Sequence, residues 1–152
     1  MSTYRHTQMG YATIIVMVGA MLAITVLMVA LGLYLVCTAV LIVLGAVLAF
    51  FSSLTVEIGD GVLEIRFGPG AIGKRFPLAD IESCRSVRNP WYYGLGIHIT
   101  PQGWLYNVSG SLAVEIRMRS GARHRIGTDV PAELEAALRE SIGGSAGDRV
   151  KM

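Results

Sequence analysis

The chain has 152 residues, 53% of them apolar, with 13 Lys or Arg against 11 Asp or Glu and a formal net charge of +2. That length suggests one domain, yet residues 9–56 contain no Asp, Glu, Lys or Arg. The split excludes a uniformly soluble chain: the first third suits a bilayer and the remainder suits water.

In chain order, a short tail of residues 1–8 precedes an apolar run over 11–51. As one helix that run would extend about 60 Å at 1.5 Å per residue, twice a hydrocarbon core of about 30 Å. Two passes of about 20 residues fit instead. Gly32 suits a reversal near residues 30–34, and Tyr34 suits an interface, giving helices over about 11–30 and 33–52 within a hairpin of 9–53. The run continues too far for the 7–15-residue core of a cleaved signal peptide. Arg5 precedes the hairpin, Lys74 and Arg75 follow it, and the turn carries no charge. The positive-inside rule therefore predicts an integral protein of the cell membrane with both termini in the cytoplasm.

Within the hairpin, Gly19-x-x-x-Ala23 and Gly45-x-x-x-Ala49 are small-residue pairs. They suit packing of the hairpin on itself, and equally a homo-oligomer through the helices. Met17, Met21 and Met28 fall along one side, as lipid-facing or packing residues. The absence of an ionisable group argues against an ion or proton path. Cys37, a small buried hydrophobe, lies in the second helix and Cys84 in the polar part, so a disulfide between them is not expected.

Beyond residue 53 the apolar period becomes two. Leu54, Val56 and Ile58, then the turn Gly59-Asp60-Gly61, then Leu63, Ile65 and Phe67 predict a β-hairpin with one wet face. Residues 68–75, G-P-G-A-I-G-K-R, match G-x-G-x-x-G and all but the last position of the phosphate loop. Both motifs need a helix to begin inside the glycines, and Pro77 falls where its first turn would run. Arg75 also stands where a magnesium-holding hydroxyl belongs. The stretch reads as a loop between strands, with no nucleotide.

Further strands are predicted near 74–78, 81–87, 95–100, 104–108, 112–119 and 122–126, with Asn89-Pro90 breaking the chain before Trp91-Tyr92-Tyr93. Thr128 or Asp129 caps a final helix with Pro131 in its first turn. Leu134, Ala137, Leu138 and Ile142 form its apolar stripe, Gly143-Gly144 stops it, and 143–152 is expected to be a disordered tail.

The fold class is thus α+β: a two-helix transmembrane hairpin followed, over 54–142, by a small antiparallel β-barrel or sandwich capped by the C-terminal helix. Phe76-Pro77-Leu78-Ala79-Asp80-Ile81-Glu82-Ser83 looks like the early-strand stretch of a known family, and the segment from Trp104 through Ile126-Gly127-Thr128-Asp129 looks like its late strands and helix entry. Over about residues 9–142 the chain resembles the pleckstrin-homology-like domains of bacterial membrane proteins, many of which carry two transmembrane helices directly before the domain. The resemblance implies a fold and a membrane anchor. It implies no shared ligand and no catalytic residues.

Chemistry-bearing constellations are sparse. His6, His98 and His124 have no metal-ligand spacing, no serine lies in G-x-S-x-G, and Asp80 and Glu82 suit a solvated edge. No enzyme, metal or cofactor is expected. Residues 66–125 hold nine Lys or Arg against three acids, a net of +6. Basic side chains on strands discourage edge pairing. They also attract anionic headgroups, at about 1 kcal/mol each near the surface. No nucleic-acid-binding motif accompanies them. Trp91-Tyr92-Tyr93 suits core packing, an interfacial anchor or a partner surface. The candidate lipid or partner surface is therefore Lys74, Arg75, Trp91, Tyr92, Tyr93, Arg117, Arg119, Arg123 and Arg125, with the arginines expected at the surface or at strand ends. The function expected is a non-enzymatic binding or scaffolding module at the cytoplasmic face. An accessory subunit of a membrane transport or secretion complex is the alternative.

Overall fold

The computed structural model describes residues 2–150. Strand β1 (Ser2–Met9) comes first, followed by helices α1 (Tyr11–Ala30) and α2 (Tyr34–Phe51). Strands β2 (Ser53–Gly59), β3 (Val62–Phe67) and β4 (Ile72–Pro77) continue in order β1-β2-β3-β4, an antiparallel sheet. The second sheet has β5 (Ile81–Arg88), β6 (Gly96–Thr100), β7 (Gly103–Asn107), β8 (Leu112–Met118) and β9 (Arg123–Gly127), in the order β5-β8-β9-β7-β6. Helix α3 (Pro131–Val150) follows.

The helices form as their composition requires. Both are apolar on every side and exposed along most of their length, as expected of segments that meet hydrocarbon rather than a protein core. At 1.5 Å per residue α1 is about 30 Å long, one hydrocarbon thickness. It ends in a Schellman arrangement: Gly32, at φ 70°, donates its N–H to Val29 O, and Leu33 N–H donates to Met28 O. Met17, Met21 and Met28 are half-buried on one side of α1, whereas Gly19 and Ala23 are exposed and face away from α2. The α1 small-residue pair therefore does not pack the hairpin on itself. Cys37 is buried in α2, and both cysteines are free.

Alternation builds the β core. Leu54, Val56, Ile58, Leu63, Ile65 and Phe67 point inward from the first sheet against Tyr106, Val114, Ile116 and Ile126 of the second. Leu134 and Leu138 of α3 close the core. Each such side chain, fully buried, stabilises the fold by about 1.5–3 kcal/mol. The β2–β3 turn is the two-residue type expected, with Asp60 at φ 52° and Gly61 at φ 75°.

Three features depart from the sequence expectations. Residues 2–9 are not a tail but the edge strand β1, paired with β2 from Ser2 opposite Gly59 to Met9 opposite Ser53. The helical hairpin is consequently inserted between two paired strands rather than preceding the β-domain. Second, the sheets do not close into a barrel, and β7 runs parallel to β9. Third, α3 continues through Gly143-Gly144 to Val150. Two glycines cost about 1 kcal/mol each relative to Ala, and neither takes the left-handed conformation that would terminate the helix. Residues 151 and 152 of the expected tail lie outside the described residues.

Candidate functional site

The roots of the helices define one end of the β-domain. Gly10 N–H donates to Ser52 O at 2.7 Å, so the chain leaves β1 and re-enters β2 through hydrogen-bonded neighbours. The first turn of α1 and the end of β1 are tied to the β7–β8 connection: Thr13 Oγ1 donates to Val108 O at 2.6 Å, and Gln8 Nε2 to Ser109 O at 3.2 Å. No flexible linker separates helices from sheets.

The glycine loop, residues 68–71, lies at this same end and joins β3 to β4. Gly68 N–H donates to Ser53 O at 2.9 Å, and a side chain at Gly68 would collide with the backbone oxygens of Ala49 and Phe50. Its neighbour is thus the C-terminal, negative end of α2. That is the wrong pole of a helix for a phosphate. Close approach of two backbones explains the glycine.

Residues 89–95 also lie here. They lead from β5, at one edge of the second sheet, to β6 at the opposite edge. Asn89 N–H donates to Ser111 O at 2.7 Å, and Asn107 Nδ2 donates to Gly94 O at 3.3 Å, so the strap is pinned at both ends. Tyr93 turns back onto the protein, its hydroxyl donating to Gln102 Oε1. Trp91 and Tyr92 turn away, 89% and 67% exposed. The rings of the three stack edge to face in sequence.

The strap alters the chemistry of the face it crosses. Glu115, Arg125 and Leu105 point away from the sandwich core, yet all three are buried. Glu115 accepts from Arg125 Nε at 2.9 Å and from Arg85 Nη2 at 2.8 Å, while Arg125 Nη1 donates to Asn89 Oδ1 at 2.8 Å. Burial pushes the Glu115 carboxyl upward, but the hydrogen bonds and charges of Arg125 and Arg85 outweigh it and hold the group below the usual carboxylate value. Arg125 was expected at the surface and is instead 9% exposed in its side chain. Strand alternation identified its direction correctly; the covering strap was not legible. His98 shares this face, and its Nε2 is buried without a partner.

The remaining candidates fall in two separate places. Lys74 and Arg75 lie on β4 of the first sheet, where Arg75 Nε reaches Glu64 at 3.2 Å. Arg117, Arg119 and Arg123 are exposed at the other end of the second sheet. Arg117 stands five residues along β8, about 17 Å at 3.4 Å per residue, from Leu112 at the end of the strand nearer the helix roots. Arg117 contacts Glu82 at 3.2 Å, and Arg119 Nε donates to Ala79 O at 2.8 Å. Ser83, Arg85, Glu115, Arg117 and Arg123 line a polar hollow of about 400 Å³ on this face. The nine residues therefore do not form one surface.

A second hollow went unforeseen, because its walls come from distant parts of the chain. Val16 and Met17 of α1, Val47 and Phe51 of α2, and Leu95 and Gly96 at the exit of the strap enclose an apolar notch of about 310 Å³. His6 was equally misplaced by the tail expectation: its Nε2 lies 2.6 Å from Asp129 Oδ1, linking β1 to the approach to α3. The hydroxyl of Thr128, expected as a helix cap, instead accepts from Val130 N–H in the turn before the helix. Comparison with protein-family models, with curated proteins and with solved structures gives no match.

Proposed function

We propose that the chain is a membrane-anchored, non-enzymatic binding or scaffolding module. In this reading α1 and α2 span a bacterial cell membrane, both termini lie in the cytoplasm, and a pleckstrin-homology-like domain presents its arginine-bearing face to an acidic region of a protein partner. The observation that carries it is the insertion of the helical pair between β1 and β2, closed by the Gly10–Ser52 hydrogen bond. A flexible tether would raise only local concentration. A linker-free joint also fixes which face of the domain looks away from the bilayer.

Two sheets closed by a C-terminal helix support the pleckstrin-homology-like assignment. Arg5 on one flank of the hairpin and Lys74 and Arg75 on the other support the orientation. Arg117, Arg119 and Arg123 lie at the end of the second sheet away from the helix roots, about 17 Å along β8 from Leu112 and so beyond the screening length of about 8 Å in physiological salt. A protein partner therefore suits them better than the headgroups of the chain's own bilayer.

A photo-crosslinking residue at Ser83 in native membranes tests this. A discrete adduct that disappears when Arg117 and Arg123 are both changed to Glu supports the reading. An adduct unchanged by those substitutions, or none, overturns it. Orientation is checked with Ser145→Cys, which an impermeant thiol reagent should label only after permeabilisation. A second reading, an accessory subunit of a transport or secretion complex, is favoured by the exposure of Gly19 and Ala23 on α1. Loss of a stoichiometric polytopic partner in Gly19→Leu would favour it over the first.

A further inference from the structure

We propose that the strap of residues 89–95 is a lipid-seated foot: Trp91 and Tyr92 lie in the headgroup layer, and an acyl chain of a membrane lipid occupies the notch between the strap and the helix roots. The inference rests on the reading of α1 and α2 as membrane-spanning.

Four observations converge on it. Both pins of the strap, Asn89 to Ser111 and Asn107 to Gly94, fall at the end where Thr13 and Gln8 hold the root of α1. Trp91 and Tyr92 are the strap's outward residues, and a rigid aromatic with one polar atom is the side chain that an interface between hydrocarbon and water favours. Tyr11, exposed on the first turn of α1, stands at the same level, and exposed Tyr34 stands one helix length away at the other. The two levels are about 30 Å apart, the separation of two interfaces.

The notch supplies the fourth observation. Its walls are almost wholly apolar, and they include the second turn of α1 and the last turns of α2. The notch is therefore continuous with surface that already faces lipid. Water there would find almost no hydrogen-bond partners, whereas a hydrocarbon chain loses nothing.

The chain has two tryptophans, which makes the test direct. Trp104 lies in β7 beside the β6–β7 turn, at the end of the sheet away from the helix roots, and serves as the internal control. The full-length protein is placed in nanodiscs of phosphatidylcholine brominated either near the headgroup end or near the tip of the acyl chain. The Trp104→Phe protein, which reports on Trp91 alone, should be quenched strongly by shallow bromine and weakly by deep bromine. The Trp91→Phe protein, which reports on Trp104, should be quenched by neither. Leu95→Trp, in a chain with both native tryptophans changed to Phe, should be quenched by shallow bromine from inside the notch. Met17→Trp repeats that measurement from the opposite wall if Leu95→Trp does not fold.

Leu22→Trp in the same background reports on the membrane reading itself and should be quenched by deep bromine. If Leu22→Trp is quenched and Trp91 is no more affected than Trp104, the foot is wrong while the anchor stands. If the notch reporters alone are unquenched, the acyl chain is not the occupant. If Leu22→Trp is unquenched, the anchor fails and the foot with it.

Discussion

Both sheets carry arginine–glutamate pairs on their outer faces, and the two sets have different consequences. On the first sheet Arg66 meets Glu57 at 2.8 Å and Arg75 meets Glu64 at 3.2 Å, all four side chains retaining substantial contact with water. On the second, Glu115 holds Arg125 and Arg85 at nearly the same distances, but Glu115 and Arg125 are buried. Exposed pairs of this kind contribute about 0–1 kcal/mol, because water serves each partner as well. A buried pair must offset the cost of leaving water, and it does so only while every partner is in place. Neighbouring strands supply similar residues in both cases. What crosses the face decides which behaviour results.

The largest test of that contrast is Arg125→Gln. Removing one member of the buried group leaves Glu115 under-compensated, so thermal unfolding of the full chain in detergent should show a loss of about 3–5 kcal/mol. A loss below about 1 kcal/mol would mean that the strap does not exclude water. Asn89→Ala comes next: without its Oδ1, Arg125 loses an acceptor that water cannot easily replace, and the loss should be about 1–3 kcal/mol.

Acid offers a third test without mutation. The Glu115 carboxyl is held below its usual value, so its stabilising contribution is complete above the ordinary carboxylate range and disappears as pH falls through the lowered value. His124 acts at higher pH, through the unfolded chain. Burial, with the charge of Lys74 second, holds its imidazole below the usual value, and Phe76 packs against the ring at 4.7 Å. The unfolded chain therefore binds that proton first, and stability should fall as pH drops below about 6.5. Two stages of acid destabilisation are expected, and His124→Phe should abolish the upper one in a denaturant titration. The smallest effect should be that of Glu57→Gln on the first sheet, below about 1 kcal/mol in the same assay.

Much of the architecture was legible because its signals are local. The 41-residue apolar run specifies two helices, and the reversal occurs at Gly32 as predicted. The strands of the β-domain follow the period-two pattern to within about two residues. What escaped was pairing at long range. Ser2–Met9 carries a polar, alternating sequence with no apolar face strong enough to announce a strand, and it becomes one because β2 offers an edge. Strand alternation gives only the direction of Arg125, since nothing within a few residues of it reveals that residues 89–95 pass overhead. The nine-residue surface dissolved for the same reason. Residues grouped by charge along the chain were distributed among two sheets and two ends of the domain.

The insertion of the hairpin into the β1–β2 connection also orders the events of synthesis. Ser2–Met9 is synthesised before both helices and cannot pair with β2 until Ser53–Gly59 emerges. Closing that long loop is entropically costly in solution. If α1 and α2 span a membrane as proposed, turning the second helix back brings the two strands together at the same surface. Had α1 crossed and α2 failed to return, β1 and β2 would lie on opposite sides and the first sheet would lack its edge. In that reading completion of the sheet reports that insertion succeeded, and a chain that fails this step exposes the β2 edge, an open template for pairing with another chain.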